Sequence, residues 1–252
     1  MRSLIKVAGE AVIGRSHERC GTPCQDKYYT WRSKDKKWAG IALSDGAGSS
    51  TYSQIAAEFA VNSIIPFVYE HFNYFYKNPS NAGKQIVEFL LNVLSKIAKE
   101  NKLMLNDMAC TLLFVLILRK KDFIHYLAGH IGDGTIFFER DKNVEVLSEP
   151  ERGEYANTTI FLTSKNSESK LRIYSGILRR PAGFMIMSDG TAETLYIKRV
   201  KSPNQAYCQQ IFNWCNRYSQ KKIKKVLLMN LKNSIFREVS LDDCSLCLLK
   251  VT

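Results

Sequence analysis

The chain has no apolar run long enough to cross a bilayer. Its longest, Cys110 to Leu118, ends in Arg119-Lys120-Lys121-Asp122, far short of the ~20 residues that a membrane helix needs. The start, Met1-Arg2-Ser3-Leu4-Ile5-Lys6-Val7, lacks the apolar stretch of a secretory leader, and Glu10 soon interrupts it. No low-complexity linker and no solenoid-type repeat divides the 252 residues, so one domain spanning 1–252 is expected. Cys20 and Cys24 have no second Cys or His pair at ligand spacing, which argues against a structural zinc site. The cysteines number seven, an odd count, and Cys110, Cys208, Cys215 and Cys247 fall in apolar or helical patterns. Buried reduced thiols explain them better than a disulfide framework, and a cytoplasmic location is the corresponding expectation.

What is there is a core. Apolar residues make up 45% and aromatics 11%, which excludes wholesale disorder. The balance of 36 Lys+Arg against 24 Asp+Glu gives a net charge of +12, which asks whether nucleic acid is the partner. The positive residues are scattered in short clusters: Arg32 to Lys37, Arg119 to Lys121, Lys198 to Lys201 and Lys221 to Lys225. The last reads as the solvated face of a helix whose apolar face carries Ile223, Val226 and Leu227. Neither a nucleic acid nor a membrane partner is expected from this pattern, whereas acidic or phosphorylated partners suit it.

The elements come in blocks. Strands are expected at about Leu4 to Ile13, Tyr28 to Trp31 and Trp38 to Leu43. A helix follows, opened by a possible capping box at Thr51-Tyr52-Ser53-Gln54 and kinked or split at Pro66. A second has Ile86, Phe89, Leu90, Val93, Leu94 and Ile97 at helical spacing, with Ser80 or Asn81 as N-cap. Then come strands at Cys110 to Leu118, Phe123 to Ala128, Thr135 to Glu139, Val144 to Leu147, Thr158 to Phe161, Leu171 to Tyr174 and Phe184 to Met187. Strands in such succession, joined by short turns, argue for antiparallel sheets. Two helices follow, the first with Ser202-Pro203 as N-cap and N1, and Cys244 to Val251 closes the chain as a strand. The layout predicts an α+β fold. It is a four-layer α-β-β-α sandwich: two mainly antiparallel sheets face to face, with helices on both outer faces.

Three apolar segments end in Asp-Gly: Ser44-Asp45-Gly46, Gly132-Asp133-Gly134 and Ser188-Asp189-Gly190. One such pair is first of all a turn signal. Three, each delivered at a strand end, point to a site for a hard divalent cation, because Mg²⁺ and Mn²⁺ prefer oxygen ligands. Asp242-Asp243 adds a fourth acidic strand boundary.

With these positions in order, the chain resembles the type-2C metal-dependent serine/threonine phosphatases. The likeness is to the bacterial branch whose N-terminal motifs match Gly14-Arg15-Ser16-His17 and Pro23-Cys24-Gln25-Asp26. The family's later motifs match Asp45-Gly46-Ala47-Gly48, Gly132-Asp133-Gly134, Ser188-Asp189-Gly190 and Asp242-Asp243-Cys244-Ser245, so the likeness runs from about Val7 to Leu249. It implies hydrolysis of phosphoserine and phosphothreonine in proteins at a pair of Mn²⁺ or Mg²⁺ ions, with a weaker third. Asp45 would bridge the pair, the Gly46 carbonyl would bind the second ion, and Asp189 and Asp242 would complete the first. Asp133 would serve the third ion with Asp189, and Asp26 would hold water beside the metals. Asp242 is preferred to Asp243 because the second of the two occupies the family's usual Asn position. No protein nucleophile is implied, which leaves Ser44 and Ser188 as bystanders.

The chain departs from better-known members at three places. Ala47 stands where a His is often assigned as general acid, Gln25 replaces a Glu, and the phosphate-gripping Arg has no unambiguous match. Arg15 and His17 are the candidates for binding phosphate oxygens or protonating the leaving alkoxide. His130 reads as a structural histidine near a strand end. The alternative to catalysis is the same fold acting only as a phosphoprotein-binding module. Acidic groups in close array argue against it, because without metal their mutual repulsion costs stability.

Overall fold

The computed structural model describes residues 5–151, 159–233 and 235–252. One five-stranded antiparallel sheet has the order β2 (Lys27–Arg32), β3 (Trp38–Ser44), β4 (Leu112–Arg119), β5 (Phe123–Ile131) and β8 (Arg172–Arg179). The other has the order β1 (Ile5–Val12), β12 (Cys244–Val251), β9 (Ala182–Met187), β6 (Thr135–Arg140) and β7 (Asn143–Ser148). Long helices α2 (Ser53–Lys77) and α3 (Pro79–Asn101) cover the first sheet. The second is covered by α4 (Asp189–Leu195), α5 (Gln205–Arg217), α6 (Gln220–Asn233) and α7 (Ile235–Val239). A short α1 (Arg15–Cys20) lies between β1 and β2, and a two-residue ribbon, β10 (Tyr196–Ile197) with β11 (Ser202–Pro203), follows α4.

Alternation along the strands builds the layers. In β4, Leu113, Val115 and Ile117 enter the core between the sheets, while Leu112, Phe114 and Leu116 pack on α2 and α3. In β12, Cys247, Leu249 and Val251 face the other sheet, while Leu246 and Leu248 face the helices. Both strands are buried on both faces, which is why they read as continuous apolar runs. The four-layer α+β sandwich is therefore as expected.

Local details differ. The Thr51 capping box does not form: α2 starts at Ser53 with no side-chain cap. Nor does Pro66 split the helix, which runs unbroken for 25 residues. Ala60, Val61 and Ile64 before the proline, and Val68, Phe72 and Phe75 after it, are all buried against the sheet. That burial outweighs the ~3 kcal/mol cost of an interior proline. Helix α3 begins at Pro79 with Asn78 at the N-cap, ahead of Ser80. Ser202-Pro203 forms ribbon rather than a helix start, and Asn204 is the N-cap of α5. Of the strand expected at Thr158 to Phe161, Thr158 lies outside the described residues. Ile160 and Phe161 are irregular, because this segment turns in to line the cavity described next.

Candidate metal centre

The acidic residues gather at one end of the sandwich, each placed by a different loop. Asp45 follows β3 and is anchored on the residues that enter β4. Its N–H donates to Thr111 Oγ1 (2.9 Å), its carbonyl accepts from Thr111 N (2.8 Å), and Gly46 bridges to Cys110. Asp133 follows β5 after Gly132, whose φ of 120° no other residue adopts readily. Its Oδ2 accepts from the Thr159 hydroxyl at 2.6 Å. Asp189 opens α4, with Oδ1 accepting from Gly190 N at 2.6 Å. Asp26 precedes β2 and is 2% exposed. No hydrogen bond of normal geometry reaches either carboxylate oxygen among the described residues, though the Ser245 and Ser188 hydroxyls lie close enough to favour its charged form.

Asp242 and Asp243, at the start of β12, behave oppositely. Asp243 is buried, accepting from Gly14 N on Oδ1 (2.7 Å) and from Gln25 N on Oδ2 (2.6 Å), and so ties both N-terminal loops to β12. Asp242 is half exposed and lines the cavity. His17, on α1, bridges the two: Nδ1 lies 3.0 Å from Asp243 Oδ1 and Nε2 3.9 Å from Asp242 Oδ1. Helix α1 is fastened here because Ser16 donates both its N–H and its hydroxyl to the Leu241 carbonyl.

A cavity of about 180 Å³ opens among these loops, lined by His17, Asp45, Gly46, Asp133, Asp189 and Asp242, together with Thr159 and Phe161. Asp26 lies beneath its floor, close enough for its charge to act on Asp45. Arg15 does not reach the cavity, because its guanidinium turns away to donate to the Glu238 carbonyl at 3.1 Å. His130 is fully buried, hydrogen-bonded to Ser148 (2.8 Å) and to Arg172 (3.0 Å), and its ring is held well below the ordinary imidazole range by burial and by Arg172.

No Lys or Arg lines the cavity among the described residues, and the electrostatics follow from that. Burial and then the Asp243 charge push Asp26 up to about 8. Burial, followed by Asp133 and Asp242, pushes Asp189 up to about 7. Asp45 is held well above the carboxylate range by burial and by the charges of Asp26, Asp189, Asp133 and Asp242. Among the described residues no cation lining this cavity balances the charge, although Lys198 and Lys201 stand in the adjoining cavity that Asp133 and Asp189 also line. The donors are carboxylates and a backbone carbonyl, the set that hard divalent ions select. His17, Asp242 and Asp243 are the one group of three among the described residues whose ligand atoms all lie within 4.8 Å of one another. Asp243 already accepts from two backbone donors, however, and that trio reads as a structural support with His17 lying against both carboxylates. The wider carboxylate array fits ions that keep much of their water.

A profile of the family described as protein phosphatase 2C matches residues 13–228. This chain belongs to the protein phosphatase 2C family. The match takes in the loops of Asp26, Asp45, Asp133 and Asp189, while Asp242 lies beyond its end. The phosphatase 2C chain is 24% identical over 248 residues to serine/threonine-protein phosphatase 3 of Escherichia coli (strain K12), covering 94% of this chain and 95% of that protein. Among solved structures, that of the S. agalactiae serine/threonine phosphatase overlays with a TM-score of 0.65 at 15% identity, covering 98% of this chain and 99% of the other. The catalytic domain of the phosphatase PstP, in complex with two manganese ions, overlays at 0.61 with 12% identity and 99% of each chain covered. At these identities the overlays establish a shared fold. Sequence reasoning missed Asp243 as the tie between loops and Thr159 as the partner of Asp133. Both depend on contacts between distant segments that no local pattern announces.

Proposed function

We propose that this phosphatase 2C chain hydrolyses phosphoserine and phosphothreonine in proteins, using a pair of Mn²⁺ or Mg²⁺ ions held at the carboxylate end. The observation that carries this reading is the convergence of Asp45, Asp133, Asp189 and Asp242 on one cavity, with the buried Asp26 carboxylate close enough to act on Asp45. Asp45, the Gly46 carbonyl, Asp189 and Asp242 would hold the ions, and Asp133 would hold a weaker third. Bound there, the ions would supply Lewis acidity and make water nucleophilic at neutral pH. Asp26, buried beside Asp45, would accept a hydrogen bond from that water and orient it. His17 is held by Asp243 through Nδ1, which leaves Nε2 toward the cavity as the group to protonate the departing serine alkoxide. Arg15 has no role at the phosphate in this arrangement.

The test is Mn²⁺-dependent hydrolysis of an aryl phosphate and a phosphoserine peptide by the wild type, Asp45→Asn and Asp189→Asn. Loss of activity in both variants supports the reading. Absence of wild-type activity with either ion would leave the phosphoprotein-binding module in its place.

A further inference from the structure

Two of the four basic clusters, Arg32 to Lys37 and Arg119 to Lys121, meet at the end of the sandwich opposite the carboxylates, whereas Lys198 and Lys201 line a cavity with Asp133 and Asp189. Strand β3 runs from Trp38, at that end, to Ser44 at the other, and β4, β5 and β8 pair with it in register. The β2–β3 turn (Lys34, Lys36, Lys37) therefore sits beside the β4–β5 turn (Lys120, Lys121), with Arg119 N donating to Lys37 O at 2.7 Å. The β8–β9 turn joins them, because Arg180 N donates to Asp122 O at 2.9 Å and Arg180 Nη2 to Lys121 O. Lys34, Lys36, Lys37, Arg119, Lys120, Lys121 and Arg179 form no ion pair among the described residues. An open cavity of about 380 Å³ lies between the first two turns, lined by Lys37, Leu118, Arg119, Lys120 and Lys121.

We propose that this end is a docking surface for an acidic segment of the phosphoprotein substrate, distinct from the site that takes the phosphate. Unpaired cations gathered on adjoining turns attract a negatively charged chain and steer its approach. Asp35 and Asp122 sit among them, which weakens the field offered to a dense phosphate backbone or lipid surface and suits a chain with spaced carboxylates. Nucleic acid binding of the single-stranded kind needs aromatic platforms. Here Phe123 is the exposed ring, and Trp31 and Trp38 are engaged edge-on with Tyr69. From Lys37 to Asp45 the chain rises about 25 Å at ~3.3 Å per residue, so a substrate must span at least that distance to use both ends.

The span supplies the test. Binding of a fluorescent Asp/Glu peptide to the full chain is measured by anisotropy, for wild type and for Lys36→Glu/Lys120→Glu/Lys121→Glu, with thermal melts as the control for folding. Affinity is expected to fall at least tenfold in the variant, and likewise in the wild type when salt is raised from about 0.05 to 0.5 M. The kinetic arm rests on the phosphatase reading. Phosphoserine peptides carry an acidic tail behind a Gly/Ser spacer of about 20 residues, whose r.m.s. length matches the span, or of about 4, which cannot reach. The long-spacer substrate is expected to show a several-fold lower KM with unchanged kcat, in the wild type alone. Peptide affinity unaffected by the charge reversal overturns the proposal. So does an equal gain with the short spacer, or tighter binding of duplex DNA or phosphatidylserine vesicles than of the peptide. If no phosphopeptide is hydrolysed at all, the phosphatase reading fails and the anisotropy arm still decides the docking surface.

Discussion

The two ends of this sandwich are built from the same strands and carry opposite charge in opposite states. At one end, carboxylates are drawn inward: Asp26 and Asp243 are buried, and Asp45 and Asp189 are shifted strongly upward by burial and by neighbouring carboxylates. At the other, Lys34, Lys36, Lys37, Lys120 and Lys121 stand in solvent on hairpin turns. Repulsion at the carboxylate end is concentrated in a low-dielectric pocket and calls for a bound cation. Repulsion at the basic end is dispersed in water and screened by salt, so it costs the fold little and leaves the charges available for a long-range partner. Charge that is buried selects an ion, whereas charge that is exposed selects a surface.

Substitutions at the two ends should therefore differ in size and in kind. The largest effect is expected for Asp45→Asn or Asp189→Asn, each lowering phosphopeptide turnover at saturating Mn²⁺ by about 10³-fold, or ~4 kcal/mol of barrier. Next is Asp243→Ala, which leaves the Gly14 and Gln25 N–H groups without their acceptor. It should cost about 2–5 kcal/mol of folding free energy in urea unfolding, whether or not metal is present. Asp26→Asn should separate function from stability, lowering activity while raising the melting temperature of the metal-free protein above about pH 8, where the buried carboxyl would otherwise ionise.

The shifted acids also predict a pH dependence. Asp26 and Asp189 titrate near 8 and 7 when folded, against an ordinary aspartate value of 3.8. Between about pH 4 and 8 the folded state thus holds more protons than the unfolded, and stability falls as pH rises through that window. The EDTA-treated protein should melt lower at pH 8 than at pH 5, and added Mn²⁺ should raise the melting temperature more at pH 8. A flat melting profile over that range would remove the electrostatic account of the site. The smallest effect belongs to the other end, where Lys36→Glu/Lys120→Glu/Lys121→Glu should change stability by no more than about 0.5 kcal/mol and leave aryl phosphate turnover alone.

The layers were legible from the sequence because strand burial leaves a local signature. The runs 112–118 and 244–251 are apolar on both faces, and α3 repeats its apolar residues at helical spacing. The Asp-Gly pairs marked strand ends, and their order carried the family resemblance. Less legible were places where tertiary burial overrode local preference, such as the unbroken helix through Pro66. Segments shaped by the cavity, such as Ile160-Phe161, were equally opaque.

What the sequence by itself determined is the acidic set, the strand ends that present it and the stacking of the layers, all properties written within a few residues of each other. The motif already favoured Asp242 over Asp243, but only the tertiary structure gave the physical reason, since Asp243 is held by donors from Gly14 and Gln25, more than two hundred residues away. The tertiary structure likewise turned Arg15 toward α7 and gathered basic turns separated by most of a sheet into one surface. Antiparallel pairing brings every second turn to the same end, and two basic runs far apart in the chain become one surface.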